Sequence, residues 1–259
     1  MIAVLQHEVN KGIVKSCRVC YNKVKLLKHW VAMIRNILLD LDDTLLDFHK
    51  AEKIALTKTL RHLGIEPQSA TLARYSELNQ AQWKLLEKGE ITREQVKLRR
   101  YQLLFAELGV DASPAEATAF YEEQLGVGHY FMEGAEPLLR ALYPDYRLFL
   151  VSNGTARVQY SRIGSAGIGR YFSGIFLSQE IGFEKPSAQF FARCFTEIPD
   201  FRKQETVIVG DSLSSDILGG KNAGITTVWF NPGMQTAQDV QPDYTIHHLS
   251  ELPPLLKTL

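Results

Sequence analysis

From residue 134 onward the chain repeats one unit, a short unbroken apolar run followed by a segment of helical periodicity, and this repetition narrows the possible folds more than any other feature. Apolar runs at 146–151, 174–177, 206–209, 226–230 and 244–246 alternate with helical segments at 156–166, 188–196 and 215–223. A strand that is apolar at every residue, rather than at every second one, is buried on both faces. Such strands separated by helices form a parallel sheet with helices on both sides. The run at 34–39 has the same character and is expected to join the sheet, so the fold class is α/β.

Between that first strand and residue 134 the periodicity is helical throughout. Ala51, Ile54, Leu60 and Leu63 recur at helical spacing, and Gly64 supplies a stop. Thr92-Arg93-Glu94-Gln95 reads as a capping box opening a helix that runs to Leu108, with Gly109 behind it. Ser113-Pro114-Ala115-Glu116 reads as another, with proline at the first helical position. The expected organisation is an all-α cap at 48–133, of about four helices, inserted into a core made of 33–47 and 134–259. Hinges are expected near 47–49 and 131–134, where Gly134 precedes a new helix.

Residues 1–32 differ from the rest. Of 29 bases and 29 acids, six bases and Glu8 alone lie there, which leaves 23 bases against 28 acids in the remainder. A body with a net charge of about −5 argues against nucleic acid as a partner. No apolar run approaches the roughly 18 residues that a membrane span needs. Residues 1–32 also lack the apolar stretch and cleavage site of a secretory signal. They form either a basic extension or a segment upstream of the true start; Met33, just before the first strand, is the expected start. Cys17, Cys20 and Cys194 provide no disulfide framework, which suits a reducing cytoplasm. Cys17 and Cys20 lack the second pair of ligands that a zinc site needs.

In open α/β sheets ligands bind beyond the carboxyl ends of the strands. Four polar groups fall there. The first strand ends in Asp40-Leu41-Asp42-Asp43-Thr44, whose Asp40 and Asp42 would lie on a similar side of an extended chain and repel unless a cation or proton intervenes. The strand at 146–151 ends in Ser152-Asn153-Gly154-Thr155, where a hydroxyl, free amides and a helix start could cradle an anion. Lys185-Pro186 sits in a loop before a helix and could bring a point charge to a phosphate. The strand at 206–209 ends in Gly210-Asp211 with Asp216 about one helical turn on, hard oxygen donors of the kind Mg²⁺ prefers. Each has a plainer reading: Asp43, Thr44 or the other acids as helix caps, the 152–155 segment as a turn, Lys185 as solvated surface.

Taken together, in this order and at these positions, the motifs resemble the haloacid dehalogenase superfamily of phosphohydrolases, over residues 34 to about 250. The resemblance implies a Rossmann-like core with the helical insertion as a mobile cap. It implies that Asp40 is a nucleophile forming an aspartyl-phosphate, and that Asp42 protonates the leaving alcohol and then activates water. Ser152, Asn153 and Lys185 would hold phosphoryl oxygens. Asp40, Asp211 and the backbone carbonyl of Asp42 would bind Mg²⁺, or Mn²⁺ in its place, with Asp216 supporting them. An acid two residues after the nucleophile suits an alcohol leaving group, which needs a proton; a halide does not. A non-enzymatic binding module would be expected to lack one of Asp40, Asp42, Lys185 or Asp211, and all are present.

Within the superfamily, residues 39–48, 152–155 and 210–217 look most like the bacterial house-cleaning pyrimidine 5′-nucleotidases. Phe183 departs from the pattern, where a small or polar residue is more usual. The implied substrate is a pyrimidine nucleoside monophosphate, with sugar phosphates such as acylneuraminate 9-phosphate and phosphoglycolate as alternatives. Phe48, Tyr75, Trp83, Tyr101 and Tyr121 offer aromatic faces for a base, and Asn79, Gln80 and Gln82 offer polar partners; the plainer reading of the aromatics is cap core. No nucleic-acid or membrane partner is expected, and the chain is expected to be a monomer or small homo-oligomer.

Overall fold

A computed structural model describes residues 33–237 and 239–259. The basic extension and the Cys17–Cys20 pair lie outside the described residues. Six strands, β1 (Asn36–Leu39), β2 (Arg147–Ser152), β3 (Phe172–Leu177), β4 (Thr206–Gly210), β5 (Thr226–Phe230) and β6 (Tyr244–Ile246), form one parallel sheet in the order β3-β2-β1-β4-β5-β6. The central strand, β1, runs in register with β2 through Leu39 and Leu150, and with β4 through Leu39 and Val209. Its carboxyl end therefore lies between those of β2 and β4.

The unbroken apolar character of these strands follows from packing on both faces. Ile37 and Leu39 join Leu148, Leu150, Val207 and Val209 in one buried cluster. Leu38 joins Phe149, Val151 and Ile208 in another. Alternate residues thus feed opposite layers, so neither parity is polar.

Four helices separate β1 from the rest of the sheet: α1 (Phe48–His62), α2 (Ser69–Glu87), α3 (Arg93–Leu108) and α4 (Pro114–Gly126). They share a core of their own that includes Ala55, Leu60, Tyr75, Tyr101 and Tyr121. The Thr92 capping box forms: its hydroxyl accepts from Gln95 N, and Gln95 Oε1 accepts from Thr92 N at 2.8 Å. Gly109 ends α3 in the left-handed region, at φ 65°. The capping group of α1 is Asp47, which accepts from Lys50 N at 2.8 Å. Asp43 backs it up, accepting from Phe48 N at 2.8 Å.

The chain leaves and rejoins the core along paired segments. Asp47 N donates to Tyr130 O at 2.7 Å, Met132 N donates to Leu45 O at 3.0 Å, and Leu46 bridges Phe131. Then come α5 (Ala135–Leu142), α6 (Ala156–Ala166), α7 (Ser178–Ile181), α8 (Ala188–Thr196), α9 (Leu218–Ala223) and α10 (Leu252–Leu256). The helix expected at 215–223 opens instead as a wide π-type turn, Leu213–Ile217, because Ser212 O accepts from both Asp216 N and Ile217 N. None of the described helices is long and apolar enough to cross a membrane.

Leu39 is 0% exposed, whereas Leu103 on α3 is 37% exposed. Leu39→Ala is expected to cost about 2–5 kcal/mol in urea unfolding, and Leu103→Ala no more than about 0.5 kcal/mol. Equal costs would contradict the central place of β1.

Candidate active site

The site is organised around one buried ammonium. Lys185 is 1% exposed, and its Nζ donates to Asp40 Oδ1 at 2.6 Å, to Asp216 Oδ1 at 2.6 Å and to Val151 O at 3.1 Å. Burial works against this charge, but Asp216 and Asp40 outweigh burial and hold the ammonium above its ordinary pKa. Asp40 stands just past the end of β1, fixed by its N–H to Val209 O at 3.0 Å. Its Oδ2 accepts no hydrogen bond from the described residues, so one carboxylate oxygen is held and the other is open. Lys185 is placed by Asn153, whose Oδ1 accepts from Lys185 N and whose Nδ2 donates to Lys185 O, both at 2.9 Å. Both polar atoms of that side chain are thus used on the lysine's own backbone.

Asp216 approaches so closely that position 210 needs glycine: a Cβ there would lie 2.2 Å from Asp216 Oδ2. Asp211, just past the end of β4, forms no ion pair with the described residues. It accepts from Thr44 Oγ1 at 3.1 Å, and its N–H donates to the same hydroxyl at 3.1 Å. Burial, then Asp40 and Asp216, raise its carboxyl well above the ordinary range. Burial likewise pushes Asp40 up to about 8, Lys185 pulling against it. Carboxylate oxygens of Asp40, Asp211 and Asp216 lie within 4.8 Å of one another. Like charges at that spacing repel by about 3–4 kcal/mol per pair at an effective dielectric near 20, and one lysine cannot balance three carboxylates. Hard oxygen donors with two excess negative charges fit a divalent cation such as Mg²⁺.

The side chain of Asp42 does not join this cluster. Its Oδ1 accepts from Arg162 Nη1, and its Oδ2 accepts from Gln159 Nε2 at 2.5 Å. Gln159 also donates to Ser152 Oγ at 2.9 Å, and Gly154 N donates to the same oxygen at 3.1 Å. The repulsion expected between Asp40 and Asp42 is relieved by giving each its own cation, Lys185 for one and Arg162 for the other. Asp43 serves structure, caps α1, and is pushed up to about 6, chiefly by burial.

Asp40, Asp42, Ser152, Asn153, Lys185, Asp211 and Asp216 all line one cavity of about 230 Å³. Phe48, Trp83, Arg100, Tyr121 and Leu125 from the helical insertion line it too. Tyr75 and Tyr101 do not; they are buried among the helices. Gln80 is exposed, while Asn79 is buried and bonded to Glu52 at 2.7 Å.

Sequence reasoning passed over Arg162, Gln159 and Arg93. Gln159 and Arg162 stand three apart on α6, directly after the Ser152 motif, and that spacing puts both on one helix face. Arg93 follows the capping Thr92. It donates to Asn153 O at 2.5 Å, to Ser178 Oγ at 2.7 Å and to both oxygens of Glu184 at 2.9 and 2.8 Å. An arginine at a helix start is ordinarily surface, and nothing in its local sequence marks a crossing to the core.

The chain is similar in sequence and fold to known proteins. The profile of the haloacid dehalogenase-like hydrolase family matches residues 37–230. The HAD-hydrolase YfnB of Bacillus subtilis is 37% identical over 219 residues, 84% of this chain and 93% of that protein. Its magnesium-bound orthorhombic crystal structure, which reveals interdomain movement, superposes with a TM-score of 0.83 over 86% of this chain and 99% of that one. The pyrimidine 5′-nucleotidase PynA of Streptococcus pneumoniae is 35% identical over 83% of this chain and 92% of its own length. The pyrimidine 5′-nucleotidase YjjG of Escherichia coli is 26% identical over 85% of this chain and 96% of its own. The family match runs from β1 through the helical insertion to β5, and the chain belongs to the haloacid dehalogenase-like hydrolase family.

Proposed function

We propose that this chain is a divalent-cation-dependent phosphatase acting on nucleoside 5′-monophosphates, pyrimidines ahead of purines. The observation that carries the chemistry is the state of Asp40: buried, one oxygen fixed by Lys185, the other open beside a carboxylate cluster that lacks balancing charge. The substrate assignment rests on likeness to PynA and YjjG and on the aromatic wall of the cavity.

In this reading the open oxygen of Asp40 attacks phosphorus, and the bond from phosphorus to the ester oxygen breaks. The departing oxygen takes a proton from the Asp42 carboxyl, which must carry it on Oδ2, the oxygen that faces neutral Gln159 rather than Arg162, when the ester binds. Water then attacks the aspartyl-phosphate, Asp42 takes the proton back, and inorganic phosphate leaves with Asp40 restored. Ser152, Asn153 and Lys185 hold phosphoryl oxygens. Asp40, Asp211 and the Asp42 carbonyl would hold Mg²⁺ or Mn²⁺, with Asp216 beside them; the ion supplies charge neutralisation between an anionic nucleophile and an anionic ester. Positioning and charge suffice, because phosphoryl transfer asks little else of a protein. The helical insertion, 48–133, acts as the cap that excludes water and meets the leaving group, while 33–47 and 134–259 carry the chemistry.

Asp40→Asn keeps shape but removes the nucleophile, and kcat is expected to fall at least about a thousandfold with the fold retained by circular dichroism. Near-normal turnover would end the assignment. With Mg²⁺ constant, kcat/KM for dUMP, dTMP and UMP is expected to exceed that for AMP, phosphoglycolate and a nine-carbon sugar phosphate. The margin should be tens- to a thousandfold, on the order of a few kcal/mol. A sugar phosphate ahead of every pyrimidine nucleotide by that margin would refute the nucleotide reading and leave the phosphatase standing.

Asp40 has an ordinary pKa of 3.8, raised to about 8 in the fold. A carboxyl raised on folding stabilises the fold fully below its ordinary pKa and loses that contribution as pH climbs through the raised value. Without divalent cation, Tm is therefore expected to decline between about pH 4 and 8, as Asp40 and Asp211 are forced to ionise. Added Mg²⁺ should raise Tm more at pH 8 than at pH 5.5 in scanning fluorimetry. An increment independent of pH would count against cation binding at these carboxylates.

A further inference from the structure

The insertion's share of the cavity wall holds a cation that the fold leaves without a counter-charge. Arg100 on α3 is 3% exposed. Its Nη1 donates to Asn79 Oδ1 at 2.9 Å and its Nε to Lys97 O at 3.3 Å, both neutral acceptors. No carboxylate is within ion-pair distance of it among the described residues, and Glu122, on the same wall, is taken by Lys97 at 2.9 Å. Otherwise the guanidinium packs against aromatic rings, 5.7, 5.5 and 4.8 Å from the centroids of Tyr75, Tyr101 and Tyr121. The hydroxyls of these three tyrosines are buried, and no group outside the three partners them among the described residues. Of the three, Tyr121 lines the cavity with Arg100. Phenylalanine would fill the same space without burying a polar atom, so packing alone does not account for the hydroxyl of Tyr121.

We propose that Arg100 and the Tyr121 hydroxyl form the subsite that reads the base, bonding a ring carbonyl oxygen while Phe48 and Trp83 pack against the ring. The proposal rests on the nucleotide reading above. A guanidinium has donors and no acceptor, so it selects for groups that accept. Uracil, thymine and cytosine each carry a carbonyl oxygen on a single small ring. Adenine carries none, and its amino group would face another donor. The preference for pyrimidines over adenine thus arises from the hydrogen-bonding sense of one buried side chain, with ring stacking contributing affinity common to all bases.

The test uses the full chain with Mg²⁺ and compares kcat/KM for dUMP with that for 2-deoxyribose 5-phosphate, which has the same phosphate and sugar and no base. Arg100→Gln is expected to lower this ratio about thirtyfold or more, and Tyr121→Phe about three- to tenfold. Tyr121→Phe should leave Tm unchanged or raise it, since it removes a buried hydroxyl that no group outside the three tyrosines partners. Tyr75→Phe and Tyr101→Phe, outside the cavity wall, should leave the ratio as it is. If Arg100→Gln fails to fold, Tyr121→Phe decides alone. A high wild-type ratio that survives Tyr121→Phe and any folded Arg100→Gln overturns the subsite and spares the nucleotide reading. A wild-type ratio near one overturns both.

Discussion

The ammonium of Lys185 is the point on which the site's geometry turns. It draws Asp40 from β1 and Asp216 from the turn after β4 to 2.6 Å on either side, and it anchors to the backbone of β2 through Val151 O. Three strand ends far apart in sequence are thereby tied at one atom. The tie holds only if the lysine's own loop is fixed, and the Asn153 amide does this with two bonds to its peptide groups. It also requires the absence of a side chain at Gly210, where a Cβ would occupy the place of the Asp216 carboxylate. Removing the lysine would leave the buried carboxylates of Asp40 and Asp216 facing each other and half-buried Asp211, a costlier state than the loss of any single hydrogen bond.

A second charge pair links this centre to the helical insertion. Arg162 is fully buried, pairs with Asp42, donates through Nε to Gly128 O at 3.0 Å, and lies 5.8 Å from the centre of the Phe48 ring. Gly128 and Phe48 belong to the two ends of the insertion, so the residue that holds Asp42 also holds both connections. Arg93 spans the gap from the other direction, from the first turn of α3 to Asn153 and Glu184, the neighbours of Ser152 and Lys185. Glu87 at the end of α2 accepts from Ser214 at 3.0 Å, two residues from Asp216. Contacts between insertion and core thus fall on residues adjacent to the candidate catalytic groups. Any shift of the four helices must break bonds that position those groups.

Why some of this was legible in the sequence and some was not has a physical basis. Period and apolarity report burial, so the six strands and the Thr92 helix start could be read from local pattern. Strand-end acids could be read because a parallel sheet puts all its carboxyl ends on one edge. The direction in which a side chain turns is a tertiary property. Asp42 shares strand parity with Asp40 yet faces Arg162, because that guanidinium, more than a hundred residues away, is its counter-charge. The same holds for Arg93, whose partners lie 60 to 91 residues distant. The wide turn at Leu213–Ile217 depends on Ser212 O accepting two N–H groups, a geometry that residue types alone do not dictate.

The excess charge of the carboxylate cluster bears on the order in which ligands arrive. With Asp40, Asp211 and Asp216 ionised and Lys185 charged, the cluster carries two negative charges. A phosphate monoester brings about two more near neutral pH. In a partly desolvated cavity, that repulsion opposes productive binding until positive charge is supplied. The folded chain on its own supplies it with protons: Asp40 is raised to about 8 and Asp211 well above its ordinary range, each chiefly by burial. A protonated Asp40, however, is no nucleophile. On the proposed reading, a divalent cation at the same carboxylates would displace these protons, leave Asp40 ionised, and cancel the charge that would repel the substrate. Cation and phosphate then favour one another's binding by the same factor, since linkage is reciprocal. On the proposed reading, high carboxyl pKa values without metal and nucleophilic competence with it are two consequences of one arrangement, three clustered acids that share a single lysine.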